Sequence, residues 1–227
     1  MRRAALLAAA GAGERLGLGP KAFVRLGGAT LLELAAEALA PHVDEVVVAV
    51  PHDRLEEASR LLPGARVVAG AASRQATVHA LLRHATSEVV LVHDVARPFA
   101  TPEVVARVLA AVAASGAASA ALGPADTVVE AASGAVLPRE GLRLVQTPQG
   151  FRRELLLAAH ERALEEGVAA TDDAALVRRL GVTVTLVEGS PLLAKLTAPA
   201  DLALMEALLG VWRRELARPA AHGGGAA

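Results

Sequence analysis

The stretch "LLAAAGAGERLGLGPKAF", Leu6 to Phe23, carries Arg15 and Lys21, two cations six residues apart, on a loop rich in glycine. With no Cβ in the way at the glycines, backbone amides around Ala10, Gly11 and Gly13 can approach an anion closely. Arg15 and Lys21 then supply positive charge around a phosphorus centre. Phosphoryl and nucleotidyl transfer demand alignment and positive charge where negative charge develops. Two rival phosphate loops fit less well. A P-loop needs G-x-x-x-x-G-K-[ST], whereas Gly19 is followed by Pro20, Lys21 and Ala22. A dinucleotide G-x-G-x-x-G meets Leu16 at its third glycine. Its acidic partner, expected about 20 residues further on, would be Glu33, inside a predicted helix.

Other residues could serve the same chemistry. "VLVHDVARPF" ends an apolar run with Asp94 and continues to Arg97. A carboxylate beyond the carboxyl end of a parallel strand can hold a Mg²⁺ that also ligates triphosphate oxygens. Asp94 reads as such a residue rather than a helix cap, because Arg97 follows one turn later in the same exposed segment. His93 reads as a satisfied core imidazole. "GAASRQATV" places Arg74 and Thr77 at a helix start, where short polar groups and amides can read a base edge. Nothing in those residues separates cytosine from another base. Of 23 basic residues only Lys21 and Lys195 are lysines. In a chain so biased to arginine, a lysine suggests a place that needs a compact point charge.

These residues must be held by a scaffold, and the pattern predicts one. Apolar runs of strand length alternate with helical patterns: "RAALLAA", "EVVVAV", "ARVVA", "EVVLVHD" and "AASAALG" against "LLELAAEALA", "DRLEEASRLL", "RQATVHALLRHA" and "TPEVVARVLAAVAAS". Continuous apolar strands between amphipathic helices predict an α/β, Rossmann-like, mostly parallel sheet covered on both faces. Thr30, Asp53 and Thr101-Pro102 read as helix starts. After Gly123 the rhythm changes. "PADTVVEAASGAVLPREGLRLVQTPQ" alternates around Ser133-Gly134 and predicts a protruding β-hairpin arm at about 124–146. Two helices, a strand "VTVTLVEG" and a last helix follow. Residues 1–212 are expected to form one domain, with 213–227 as a disordered tail.

Bulk properties narrow the function. The 227-residue chain has a net charge of −1, which argues against a nucleic-acid partner. It has no cysteine, hence no disulfide, thiolate metal site or cysteine nucleophile. No apolar stretch reaches the roughly 18 residues of a membrane span. The start "MRRAALLAAAGAGERLG" has the flavour of a signal peptide but reads as a buried first strand, so a cytoplasmic protein is expected.

"AAAGAGERLGLGPKAF" resembles the A-A-G-x-G-x-R…P-K signature of nucleotidyltransferases, and more narrowly that of the 2-C-methyl-D-erythritol 4-phosphate cytidylyltransferases. "GAASRQATV", "LVHDVARPF", "LRLVQTPQGF", "TDDAALV" and "LLAKLTAPADLALME" are similar to that family's further motifs, in order, up to about Leu209. The family's usual second glycine and following aspartate are here Ala71 and Ala72. The resemblance implies a nucleotidyltransferase fold and a homodimer joined through the arm. It also implies direct transfer of a cytidylyl group from CTP to 2-C-methyl-D-erythritol 4-phosphate, with pyrophosphate released. It makes Asp94 the Mg²⁺ and substrate-hydroxyl residue, with Arg97 nearby, and Arg15 and Lys21 the cations on the α-phosphoryl group. Arg139 and Lys195 aim the attacking phosphate. Thr127 lies with Arg139 on the arm that crosses to the neighbouring subunit, and Thr147 and Thr171 offer hydroxyls to the polyol. Without the resemblance, Arg139 is equally an exposed hairpin cation and Thr171 an ordinary N-cap. Alternatives are a cytidylyltransferase for another polyol phosphate such as ribitol 5-phosphate, a dinucleotide-dependent oxidoreductase, and a non-catalytic nucleotide sensor.

Overall fold

The computed structural model describes residues 1–11, 13 and 17–217, and the statements below concern those residues. The chain opens with β1 (Arg3–Ala8), a small ribbon of β2 (Arg25–Leu26) and β3 (Ala29–Thr30), and α1 (Leu31–Leu39). Then come β4 (Glu45–Val50), α2 (Leu55–Leu61), β5 (Arg66–Ala69), α3 (Arg74–His84), β6 (Val89–Asp94), α4 (Pro102–Ser115) and β7 (Ala117–Leu122). An arm of β8 (Val128–Val129) and β9 (Val136–Leu137) precedes β10 (Leu144–Arg152). The chain closes with α5 (Arg153–Glu165), α6 (Asp173–Arg179), β11 (Thr185–Glu188) and α7 (Asp201–Leu216).

Seven strands form one sheet in the order β11-β7-β10-β6-β1-β4-β5. β1 pairs in parallel with β4 and β6, β4 with β5, and β7 with β11. β10 alone among them runs antiparallel, wedged between β6 and β7. The expected mostly parallel α/β sheet is therefore present.

The apolar runs are continuous because both faces are covered. Successive side chains of a strand point to opposite faces. Ala5, Leu7, Val48, Val50 and Leu91 accordingly join α1 and α4 in one core. Ala4, Leu6, Val47, Ala49, Val90 and Val92 join α3, α5 and α6 in the other. α7 packs back on the first core through Met205 and Trp212. The Trp212 indole N–H donates to the Ala100 carbonyl at 2.8 Å, and its ring lies 5.4 Å from that of Phe99.

Local signals were met unevenly. Thr30 and Glu33 form a reciprocal capping box at α1. Thr101 is the N-cap of α4 with Pro102 at the first position, although its side chain accepts no capping bond. Asp53 does not cap α2, whose N-cap is Arg54. α7 runs to Leu216, past the expected domain end at 212, because burying Trp212 against the first core requires that last turn. Residues 218–227 lie outside the described part. The hairpin is shorter than its reading: Leu144 already belongs to β10, and the arm proper is the two-residue pairing of Val128 and Val129 with Leu137 and Val136.

Candidate active site

β1 is the strand at which the chain changes direction across the sheet, with β4 on one side and β6 on the other. Ligands of open α/β sheets settle beyond the carboxyl ends of the strands at such a switch. A cavity of about 580 Å³ opens there, within the range of small-molecule sites. Its walls come from the loops after β1, β5 and β6, the start of α3, and Lys21 and Lys195. Ala10, Gly11, Gly13, Arg74, Thr77 and Asp94 line it as well.

Small residues create the opening. A Cβ on Gly70 would lie 2.1 Å from the Cβ of Ala10, so the loops after β1 and β5 touch only because Gly70 has none. Gly13 has φ +73°, and a Cβ there would lie 2.1 Å from the Gly19 carbonyl oxygen. Glycine is needed at that bend.

Two lysines meet across one segment. Lys21 Nζ donates to the carbonyls of Leu196 and Thr197 at 3.0 and 3.3 Å. Lys195 Nζ donates to Asp94 Oδ2 at 2.8 Å. The segment is fastened from below: Leu196 N–H donates to the Ala96 carbonyl, and the Arg97 guanidinium donates to that of Leu193. The Asp201 carboxylate secures its far end, accepting from Thr197 N–H and O–H and from Ala198 N–H. Bonding to the Thr197 hydroxyl leads the effects that depress the Asp201 pKa to about 2.

Asp94 is the charged hub. Its Oδ1 accepts from Arg74 Nε at 2.9 Å while Oδ2 accepts from Lys195. Burial alone would raise its pKa, but Arg74 and Lys195 outweigh that and hold it well below the usual carboxylate range. Burial likewise disfavours the Arg74 charge, and the carboxylates of Asp173 and Asp94 overcome it, raising that pKa. Asp94 is the one carboxylate lining the cavity among the described residues. No cluster of three or more His, Cys, Asp or Glu able to hold a metal occurs among them. One carboxylate cannot cage a cation by itself. It suits a Mg²⁺ that arrives with substrate phosphates and keeps water, as Mg²⁺ commonly does.

Behind Asp94 sits the satisfied core imidazole that the sequence predicts. His93 is fully buried. Its Nε2 lies 2.8 Å from the Arg97 carbonyl, and its Nδ1 lies 3.0 Å from Thr147 Oγ1. A carbonyl only accepts, so Nε2 carries the proton. Burial lowers the His93 pKa to about 4, so the ring is neutral near pH 7 and Nδ1 accepts from the Thr147 hydroxyl. That hydroxyl in turn accepts from the Asp94 amide at 3.1 Å. Thr147 thus aims Asp94.

Thr77 is similarly committed. Its hydroxyl accepts from the Ala71 amide and donates to the Ala71 carbonyl, so it shapes the loop after β5. Arg97 is not in an exposed segment and does not line the cavity. Val95 and Ala96 beside it are buried, burial lowers its pKa, and its work is to hold Leu193. Thr171 is exposed and does not cap α6, because Asp172 accepts from the Ala175 amide instead. Thr127 and Arg139 lie outside the main cavity. Arg139 donates to the Ala125 carbonyl beside a second cavity of about 460 Å³ at the root of the arm. Arg15 lies outside the described residues.

Several residues in this assembly escape a reading by spacing. Gln146 closes a pair of bonds with the backbone of Ser190, and Gln149 ties down the start of α6 by donating to the Asp172 carboxylate and accepting from the Ala174 amide. Asp173 and His160 stand behind Arg74. Only the adjacent acids of "TDDAALV" hinted that one of them faces inward.

Comparisons with known proteins match most of the chain. Residues 4–211 match the family described as 2-C-methyl-D-erythritol 4-phosphate cytidylyltransferase. A protein of that name from Deinococcus radiodurans is 55% identical over 215 residues, covering 92% of this chain and 90% of the relative. One from Thermus thermophilus is 50% identical over 215 residues, covering 93% and 99%. The crystal structure of a Thermus thermophilus enzyme of the same name superposes with a TM-score of 0.80 at 45% identity, covering 92% of this chain and 98% of that one. With a cavity at the sheet's switch point and a match spanning nearly its whole length, this chain belongs to the 2-C-methyl-D-erythritol 4-phosphate cytidylyltransferase family.

Proposed function

We propose that this chain transfers a cytidylyl group from CTP to 2-C-methyl-D-erythritol 4-phosphate, giving 4-diphosphocytidyl-2-C-methyl-D-erythritol and pyrophosphate. The observation that carries the reading is the convergence of Lys21, Lys195, Arg74 and Asp94 on one cavity, in a chain of this family. An oxygen of the sugar phosphate attacks the α-phosphorus in line as the bond to pyrophosphate breaks. That oxygen is already anionic at neutral pH, so no protein nucleophile is required. Ala10, Gly11 and Gly13 present amides to the triphosphate. Lys21 and Arg15 stabilise the charge that gathers on the α-phosphoryl oxygens. Lys195 aims the attacking phosphate. Asp94, with the triphosphate, would hold Mg²⁺, which adds further positive charge at the phosphates.

The arm belongs to the same proposal. Val129 and Val136 are 51% and 67% exposed, and Leu137 of the arm and Leu144 and Val145 of β10 are exposed as well. A two-stranded ribbon is marginal by itself, and a run of exposed apolar side chains favours cover. A second copy of the chain, with Thr127 and Arg139 brought toward its neighbour's cavity, gives that cover, and sedimentation equilibrium would read the dimer directly. Among the described residues no helix is long and apolar enough to cross a membrane, and we place the reaction in the cytoplasm.

A pyrophosphate-release assay across four nucleotides and several polyol phosphates tests the reading. CTP with methylerythritol phosphate should be preferred, and Lys21→Ala should lose roughly 100-fold or more in kcat, as oxyanion donors do. Preference for ribitol phosphate, or wild-type turnover by Lys21→Ala, would refute the assignment.

A further inference from the structure

We propose that Asp173 is a positioning residue for the transfer, acting through Arg74, and this rests on the cavity being the transfer site. Asp173 is 99 residues from Arg74 in sequence, and its side chain is 1% exposed. A carboxylate so buried is expensive unless each oxygen is matched. Both are matched here: Oδ2 accepts from Arg74 Nη1 at 2.8 Å, and Oδ1 sits 2.9 Å from His160 Nε2. Arg74 meanwhile donates through Nε to Asp94 Oδ1 at 2.9 Å. A guanidinium is a rigid planar fork, so bonds at two of its edges fix its plane and reach.

The consequence falls on Asp94. Two cations, Arg74 and Lys195, compete for one carboxylate that must also serve the substrate. Asp173 holds Arg74 from behind, so Arg74 stays on Oδ1 and does not swing toward the triphosphate. Oδ2 is left to Lys195 and to the ligand. His160 keeps the Asp173 carboxylate from rotating, and its ring stacks on His79 with centroids 6.0 Å apart. Gln149 completes the seat by accepting from the Ala174 amide, fixing the turn of α6 that carries Asp173. The ladder His160–Asp173–Arg74–Asp94 runs from the core to the cavity wall.

A merely structural clasp between α3 and α6 predicts different kinetics. Asp173→Asn keeps the size and one acceptor but removes the charge. Its kcat/KM should fall about 10- to 100-fold, as when supporting residues behind a reactive centre are lost. The fall should lie in kcat, with the KM for CTP within about threefold of wild type, since Arg74, Lys195 and the Asp94 charge all remain in the cavity and only their alignment is lost. In an Arg74→Gln background the same change should cost less than about twofold, because residues acting as one unit are not additive. His160→Leu should lower kcat/KM, and His160→Gln, which retains an N–H donor, should restore most of it. These histidine variants decide the matter should Asp173→Asn fail to fold. Wild-type kcat/KM in Asp173→Asn or in His160→Leu, or full additivity with Arg74→Gln, would overturn the proposal. No pyrophosphate from the wild-type enzyme would instead refute the functional reading.

Discussion

Replacing His93 by asparagine should flatten the acid side of the stability curve. The imidazole is fully buried between the Arg97 carbonyl and the Thr147 hydroxyl, and burial lowers its pKa from 6.5 to about 4. Above pH 6.5 neither the folded nor the unfolded chain takes up this proton, and the stabilisation is complete. As the pH falls below 6.5 the unfolded chain binds a proton that the folded chain refuses, so stability drops until about pH 4, where both are protonated. The whole interval is worth about 3 kcal/mol at 1.36 kcal/mol per pH unit. Between pH 7.5 and 5.0 the loss is about 2 kcal/mol. Urea unfolding of wild type and His93→Asn at several pH values isolates this contribution, because other groups titrate in both. The variant should be less stable at pH 7.5, with the gap closing by about 2 kcal/mol at pH 5.0. Parallel curves would refute a buried neutral His93.

Three further outcomes follow from the same geometry. Gly13→Ala puts a Cβ against the Gly19 carbonyl at positive φ. The resulting strain of about 1–3 kcal/mol should weaken CTP binding roughly tenfold or more by calorimetry. Thr147→Val leaves the Asp94 amide and His93 Nδ1 without their shared hydroxyl. It should cost about 1–3 kcal/mol in urea unfolding and lower kcat with it. Trp212→Ala removes a fully buried ring and the donor to the Ala100 carbonyl, so denaturant titration should show a loss of about 3–5 kcal/mol.

The alternation of apolar runs with helical patterns was enough to place the sheet, because β1, β4 and β6 are buried on both faces and read as unbroken runs. Lys21 and Asp94 were legible because charge on a glycine loop or at a strand end has few structural uses, Arg74 because it opens a helix, and Lys195 because lysine is rare in this chain. β10 was not legible as a central strand. Pro148 sits in its middle, and proline normally argues against such a position. It is accommodated because the register with β7 shifts between Val145 and Gln149. The polar residues there serve neighbouring loops rather than a core face. Nothing in the sequence separates a hydroxyl or guanidinium that bonds backbone, as those of Thr77, Thr147 and Arg97 do, from one that faces substrate. The pairing of Arg74 with Asp173 spans 99 residues, and no local spacing encodes it.

The antiparallel strand also orders the assembly of the chain in time. The wing β6-β1-β4-β5 has every one of its strand pairings available once Asp94 has left the ribosome. β7 by contrast has no strand beside it until β10 is made, since its other neighbour, β11, comes later still. The first wing can therefore condense during synthesis, while the second must wait for the arm to be completed. Thr147 sits on the strand that closes this seam, so Asp94 acquires its final orientation only when the two wings join.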